Sequence, residues 1–342
     1  MNSHLEQNLR LIAESLDFQA GGTFTFAGSP SAFWMSPLPA NGTTAASLSS
    51  KLHPTVEALQ NVLYAACYTR EFKGTIEQAA IPANISDDGW INSLSAANSS
   101  RERWEEGWQI TQFLPSGEIY AQKGAVQRAF WPGEFVRRGD YGLAPQQGTP
   151  IAVFLPREAR NSQPGFYFAF GENPGSAEEE TPIVRFYWNV NRDGAAPLTK
   201  KLSSTLNRYQ VPFRFKIVNS PALLNRCDTA VLYVGRRYYR IAAELAFETR
   251  AAVEHGIEPE VPLFTRRLTD GLAFAEDPGN QESFGMSRCR LLAEGFWFAF
   301  SEGRSSVDDR LARVGQHFAA SGTSLERPYL NVASIESYEF PQ

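Results

Sequence analysis

The chain has 342 residues, of which 43% are hydrophobic and 13% aromatic, enough to build one large domain or two ordinary ones. This composition excludes an intrinsically disordered protein, and the net charge of -5 argues against a protein built mainly to bind nucleic acid. Three cysteines without a Cys-x-x-Cys pair exclude a disulfide framework and a cysteine-rich zinc module.

The N-terminal segment, MNSHLEQNLRLIAESL, has acidic residues and lacks the basic region and apolar run of a secretory signal. No apolar run approaches the roughly 18 residues that a membrane-spanning helix needs. These features predict a soluble, cytoplasmic protein without a membrane partner.

The first part of the chain is predicted to be mostly helical. Apolar residues recur at helical spacing in residues 5–16 and again in residues 54–68, where Pro54 stands near the start. Residues 35–50 and 84–100 are predicted to be loops. Short β-rich runs begin near Trp104, which predicts an N-terminal helical region at 1–104 and a second domain at 105–342.

The second domain then alternates strand and helix patterns. Strands are predicted at 182–190, 211–218 and 229–234, and helices at 196–209, 240–256 and within 283–300. The alternation fits an α+β or α/β protein, and we expect the α+β class, with a mixed β-sheet core and flanking helices.

Two of these strands carry polar faces. Side chains alternate along a strand, so Arg185 and Tyr187 share one face of their strand, and Arg214 and Lys216 share one face of theirs. Two cations placed so close repel each other, and lysine is the one that can lose its proton.

Three more arginines are candidates for the same surface. Arg226 precedes the third strand, Arg288 stands at a predicted helix start that favours an anion, and Arg266 lies between them in sequence. If the strands are neighbours, one face carries several arginines, a lysine and a tyrosine, which suits a phosphate dianion.

Plainer interpretations stand beside this one. Lys216 and Arg185 are each compatible with a solvated strand residue, Tyr187 with a half-buried sheet aromatic, and Arg288 with an ion pair to Glu294. The run RRYYR at residues 236–240 could contact nucleic acid, but the net charge argues against that.

Several cofactor motifs are absent from the sequence. It contains no phosphate-binding P-loop, no GxGxxG after a strand, no HExxH and no GxSxG, and its four histidines are scattered. The sequence therefore predicts chemistry that requires neither a cofactor nor a metal.

The segments GFYFAFGE, PFRFKIVN, NRCDTAVLYV, PLFTRRLTDGLAFAEDP, ESFGMSRCRLLAEG and RPYLN resemble the HopA effector family over roughly residues 104–335. Relatives of that family resemble the lyase components of lanthipeptide and thioamitide biosynthesis, and distantly the OspF/SpvC phosphothreonine lyases. The resemblance implies a phosphothreonine-lyase-like fold.

The distant lyases carry a K-x-H strand and, later, a K-x-K strand whose second lysine is the base. The corresponding segments here read R-F-Y and R-F-K, so the resemblance implies Lys216 as the base, with Tyr187 in place of the histidine acid. It further implies that Arg226, and plausibly Arg288, bind phosphate. Asp228, His255 and His317 are alternative proton donors if Tyr187 only packs the sheet.

The implied reaction is elimination of phosphate from phosphothreonine or phosphoserine in a precursor peptide, leaving a dehydroamino acid. The positive charges of Arg214 and Arg226 are expected to favour a neutral Lys216, which would take the Cα proton. The implied partners are the phosphorylated precursor peptide and an aminoglycoside-phosphotransferase-like kinase, with residues 1–104 binding the peptide leader or the kinase. The alternative is a non-enzymatic HopA-type effector or adaptor that binds phosphoproteins through a basic cleft.

Overall fold

The computed structural model describes residues 3–19, 21–31, 53–76, 86–137, 144–176, 181–279, 282–332, 334 and 338–341. The loop predicted at 35–50 lies outside them. The helices are α1 (Ser3–Ser15), α2 (Pro54–Leu63), α3 (Asp88–Ala97), α4 (Arg192–Arg208), α5 (Tyr239–Ala252), α6 (Phe284–Ser301) and α7 (Val307–Ala320). The strands are β1 (Leu16–Phe18), β2 (Phe24–Phe26), β3 (Ser29–Pro30), β4 (Arg103–Phe113), β5 (Ile119–Lys123), β6 (Val126–Phe130), β7 (Phe135–Val136), β8 (Pro150–Leu155), β9 (Glu158–Gln163), β10 (Phe166–Phe170), β11 (Ile183–Trp188), β12 (Arg214–Val218), β13 (Ala230–Gly235), β14 (Arg266–Thr269) and β15 (Leu272–Glu276).

A seven-stranded antiparallel sheet forms the centre of the molecule, in the order β14-β15-β11-β13-β12-β10-β9. Its first face packs against α4 and α5 through an apolar cluster that includes Phe186, Trp188, Phe215 and Leu232. The predicted α+β class is confirmed, with helices on both faces of the sheet.

The second face of this sheet packs against helices from both ends of the chain. Apolar residues of α1, α2, α6 and α7 form one cluster with Tyr187, Val231 and Ala273 of the sheet. The N-terminal helical region is confirmed, and its helices share a core with strands that lie beyond residue 104. The division into two domains at that position stays a prediction.

Strands β4 to β8 form a separate five-stranded antiparallel sheet, in the order β6-β5-β4-β8-β7. It has an apolar cluster of its own, built around Trp108, Ile110 and Val153.

The helix predicted at 54–68 is confirmed, with a change of geometry near its end. His53 caps α2 by accepting the Thr55 N–H, and Pro54 occupies the first turn, where its missing N–H costs nothing. The chain then widens into a π-helical turn over Tyr64–Tyr68.

The loop predicted at 84–100 is wrong, because α3 lies there. The Asp-Asp-Gly start is typical of a turn, yet the Asp87 carboxylate accepts the Trp90 N–H and so caps a helix. Trp90, Ile91 and Leu94 supply its buried face, and the Trp90 indole donates to the Val218 carbonyl at 2.9 Å.

Candidate functional site

The second face of the central sheet presents two rows of side chains that run across β11, β13 and β12. One row is Tyr187, Val231 and Lys216, and the next is Arg185, Tyr233 and Arg214. The sequence therefore identified the shared face correctly, but β13 separates the two polar strands. With a strand spacing of about 4.8 Å, the Tyr187 and Lys216 backbones are about 10 Å apart.

Four cations surround two aromatic rings on this face, and we call Arg185, Arg214, Lys216 and Arg226, with the rings of Phe166 and Tyr233, the cationic cluster. The Lys216 Nζ lies 4.2 Å from the Phe166 ring centroid and 5.9 Å from that of Tyr233. The Arg226 guanidinium lies 5.4 Å from the Phe166 centroid. The Tyr233 ring also faces Arg185 at 5.1 Å and Arg214 at 5.6 Å. The rings let like charges gather, since each offers its negative π-face to a cation.

Arg226 belongs to a buried ion pair. Its Nε and Nη2 donate to the two carboxylate oxygens of Asp228, and Nη2 also donates to the Tyr64 hydroxyl at 3.3 Å. Burial lowers the pKa of Arg226, but the negative charge of Asp228 and the hydrogen bonds to Asp228 and Tyr64 more than offset this effect, so the guanidinium stays charged.

Arg185 is neutralised in the same way. Its Nε and Nη2 both donate to Oδ2 of Asp277. By contrast, no carboxylate of the described residues lies within ion-pair distance of the half-buried Lys216 or the exposed Arg214. The two basic side chains of the cationic cluster that lack a carboxylate partner among the described residues therefore both lie on β12.

The Tyr187 side chain lies beneath this surface. It is 2% exposed, and its hydroxyl, although near the Tyr68 phenol and Arg185, forms no hydrogen bond with any described residue. Burial raises the pKa of Tyr187 to about 12, because desolvation of the phenolate outweighs the attraction of Arg185.

Arg266 does not join the cationic cluster. On β14, Arg266 lies directly opposite Phe274 of β15, so the two side chains share a face of the sheet. Phe274 belongs to the apolar cluster that packs against α4 and α5, so Arg266 lies on the first face and not on the second. Its Nη1 donates to the Tyr338 carbonyl at 2.9 Å.

Arg288 lies on the second face, but its donors are occupied. It is 3% exposed, and it donates to the carbonyls of Pro328 at 2.7 Å and Leu330 at 2.8 Å, so it fixes the chain after α7. Burial lowers the pKa of Arg288 to about 10. The ion pair with Glu294 considered from the sequence does not form, since Glu294 binds Arg290 and His317.

The structure adds two tyrosines that the sequence did not indicate. Tyr64 and Tyr68 both lie on the π-helical turn after α2, with ring centroids 5.3 Å apart, and Tyr64 reaches Arg226. In the sequence they appear only as two residues of the helix predicted at 54–68. A Cβ on Gly285 would lie 2.4 Å from the Tyr68 ring, so the first turn of α6 needs glycine there to let the ring lie on its backbone.

A cavity of about 250 Å³ opens at the end of the strands beside the cationic cluster. Arg214 and Tyr233 line it from the central sheet, together with the apolar rings of Phe170 and Phe213. Leu155 reaches it from the separate five-stranded sheet, so this cavity lies where the two sheets meet.

Within the ranges that the structure describes, no group of three or more His, Cys, Asp or Glu side chains is placed to hold a metal ion. No helix in the same ranges is long and apolar enough to cross a membrane.

The model of the HopA1 effector protein family matches residues 158–330. Among solved structures, the chain is similar to an effector protein from Pseudomonas syringae pv. tomato strain DC3000, with 13% identity, a TM-score of 0.46 and coverage of 95% of this chain and 98% of that one. It is also similar to an effector protein from Pseudomonas syringae pv. syringae strain 61, with 14% identity, a TM-score of 0.47 and coverage of 96% and 98%. No curated protein matches the sequence.

Proposed function

The chain belongs to the HopA1 effector protein family, and we propose that it is a lyase that eliminates phosphate from phosphothreonine or phosphoserine in a peptide. The observation that carries the proposal is the environment of Lys216. Its amine has no carboxylate partner among the described residues, and it faces the same ring as Arg226, within a cluster that has surplus positive charge.

The charge of the cluster suits a phosphate monoester. A phosphate group carries nearly two negative charges at neutral pH, and the guanidinium groups of Arg214 and Arg226 offer positive charge to it. Arg214 is exposed and can reach the ligand directly. Arg226 keeps Nη1 for the ligand, since Asp228 and Tyr64 occupy its other donors. Arg185, buried against Asp277, supports the Tyr233 ring.

The elimination then needs a base at Cα and stabilisation of the departing phosphate. Neutral Lys216 takes the Cα proton, the electron pair of that bond forms the Cα–Cβ double bond, and the Cβ–O bond breaks to release phosphate. Arg214 and Arg226 stabilise the negative charge that builds on the leaving group. We propose as the substrate a precursor peptide of a lanthipeptide- or thioamitide-type pathway, phosphorylated by an aminoglycoside-phosphotransferase-like kinase.

Lys216→Ala tests this function. We expect the variant to bind a phosphothreonine peptide nearly as well as the wild type but to leave it unchanged, because the base acts only in the chemical step. Mass spectrometry would then show the loss of phosphoric acid in the wild type and not in the variant. Lys200→Ala, which removes an exposed lysine of α4 on the other side of the sheet, is the matched control. Unchanged elimination in Lys216→Ala refutes the mechanism.

One observation favours a second candidate, a non-enzymatic adaptor that binds phosphoproteins. The Lys216 Nζ lies 4.2 Å from the Phe166 ring centroid, a cation–π contact that suits a lysine acting as a charged phosphate ligand. An adaptor would bind the phosphopeptide through the same cations and never convert it. The wild-type protein in the assay above distinguishes the two: binding without any elimination favours the adaptor.

A further inference from the structure

The proposed elimination lacks a proton donor. A phosphate monoester dianion that leaves without a proton departs as a trianion, so the bridging oxygen needs an acid. Tyr187 is poorly placed for this, since its hydroxyl is buried beneath the cationic cluster and 2% of the residue is exposed. Resting on the proposed function, we propose that Tyr64 donates the proton to the leaving phosphate.

The first support is position. The Tyr64 hydroxyl lies 3.3 Å from Nη2 of Arg226, and Arg226 and Lys216 face the same Phe166 ring. A phosphate bound by Arg226 would therefore lie next to the Tyr64 phenol, in the part of the sheet face that also holds Lys216. In this assignment the base and the acid serve one bound phosphate, as an elimination across Cα and Cβ requires.

The second support is the state of the hydroxyl. Arg226 donates to the phenol oxygen, and no other described residue bonds to that oxygen, so its own proton is available to a ligand. Burial and the negative charge of Asp228 raise the pKa of Tyr64, although Arg226 opposes them, so the phenol is protonated over the working pH range. After transfer to the bridging oxygen, the phenolate would lie against the Arg226 cation, and the half-buried side chain can recover its proton from water.

The third support is rigidity. The Tyr64 ring stacks on Tyr68, and the Tyr68 ring lies directly on the backbone of Gly285 in α6. Because packing already holds the phenol in place, little conformational entropy is lost in positioning the acid for the reaction.

The other donors considered from the sequence have different surroundings. The His255 side chain is 96% exposed beside Glu254, and the His317 Nε2 lies 2.8 Å from a carboxylate oxygen of Glu294 on α6. Both carboxylate oxygens of Asp228 accept from Arg226. The Tyr64 hydroxyl, by contrast, contacts Arg226, the residue proposed to bind the phosphate.

The test is Tyr64→Phe, which keeps the stacked ring and removes only the acid. Two peptides of one sequence serve as substrates, one with phosphothreonine and one with O-sulfothreonine, because sulfate leaves as a stable dianion and needs no proton. In single-turnover kinetics, we expect elimination of phosphate to slow by about 10²–10⁴-fold and elimination of sulfate by less than about tenfold. A partly unfolded variant would slow both equally, so the ratio of the two rates isolates the acid.

Tyr209→Phe, at the exposed end of α4, is the control, with both rates expected at the wild-type level. Equal slowing of the two substrates by Tyr64→Phe, or an unchanged rate with phosphate, overturns the assignment. If the wild type converts only the phosphopeptide, the rate of Tyr64→His is measured as a function of pH. A rate above that of Tyr64→Phe, rising as the pH falls through about 6.5, supports Tyr64 as the proton donor. A rate that equals that of Tyr64→Phe at every pH overturns the assignment. A wild type that converts neither peptide refutes the proposed function itself.

Discussion

Two tyrosines of the central sheet are almost fully buried, and they differ in what their hydroxyls contact. The Tyr167 hydroxyl donates to Glu158 Oε2 at 2.7 Å and accepts from the Asn98 amide at 3.1 Å. The Tyr187 hydroxyl has no hydrogen-bond partner among the described residues. Replacing each tyrosine by phenylalanine removes a hydroxyl oxygen, which is hydrogen-bonded in Tyr167 and has no partner among the described residues in Tyr187.

The two substitutions should change the free energy of unfolding in opposite directions. In Tyr167→Phe, a partly buried carboxylate and a buried amide each lose a partner, and we expect a loss of about 2–3 kcal/mol. In Tyr187→Phe, the removed hydroxyl had lost its hydrogen bonds to water without replacement. Leaving such a group unsatisfied costs about 1–3 kcal/mol, so the variant should be as stable as the wild type or more stable by about 1 kcal/mol.

Urea denaturation followed by circular dichroism measures both changes, provided that the slope with urea stays constant across the variants. A Tyr187→Phe protein destabilised as much as Tyr167→Phe would mean that the Tyr187 hydroxyl has a partner, and would refute the interpretation of its burial. An elimination rate lowered by about 10²–10⁴-fold in Tyr187→Phe would likewise restore Tyr187 as the acid.

Two further predictions concern pH and packing. Burial raises the pKa of Glu158, but hydrogen bonds from Arg160, Tyr167 and Ser95 outweigh it and hold that pKa below its ordinary value of 4.5. The stability that Glu158 contributes is therefore present above pH 4.5 and is lost as the pH falls through its folded-state pKa. Glu158→Gln should therefore reduce the loss of stability at acidic pH, measured as the free energy of unfolding against pH. A loss as large as that of the wild type would contradict this expectation. In Gly285→Ala the new methyl group would lie 2.4 Å from the Tyr68 ring. We expect the free energy of unfolding, measured by urea denaturation, to fall by about 1–3 kcal/mol, and elimination to slow because the Tyr64–Tyr68 stack shifts. Wild-type stability and rate in this variant would show that the ring moves freely.

The strands of the site were predictable because their patterns are local. The alternation around Arg185 and Arg214 fixes which side chains share a face, and the structure confirms both faces. Strand order is not local, so the insertion of β13, with Tyr233 between the two arginines, could not be read from either strand. Arg266 stands on the other face, since its register with β15 places it opposite Phe274.

Ion pairs and burial could not be predicted from local sequence patterns either, because the partners are far apart in the sequence. Asp277 neutralises Arg185 from a position 92 residues later, and Tyr64 contacts Arg226 across 162 residues. In α3 the local pattern was misleading, because Asp-Asp-Gly favours a turn, whereas the Asp87 cap and the burial of Trp90, Ile91 and Leu94 stabilise a helix.

The shared core of the terminal helices has a consequence for how the chain is made. The apolar faces of α1 and α2 are covered by α6 and α7, and about 220 residues separate the end of α2 from the start of α6. At a translation rate of about 5–20 residues per second, the face of α2 remains uncovered for about 11–44 s on the ribosome, and that of α1 for longer. The sheet of strands β4 to β8 has its own core and can fold in that interval, whereas the π-helical turn that carries Tyr64 lacks the contact between Tyr68 and Gly285 until α6 has been made. The nascent N-terminal segment is thus a natural client for a chaperone, because the apolar faces of α1 and α2 stay uncovered until α6 and α7 have been made.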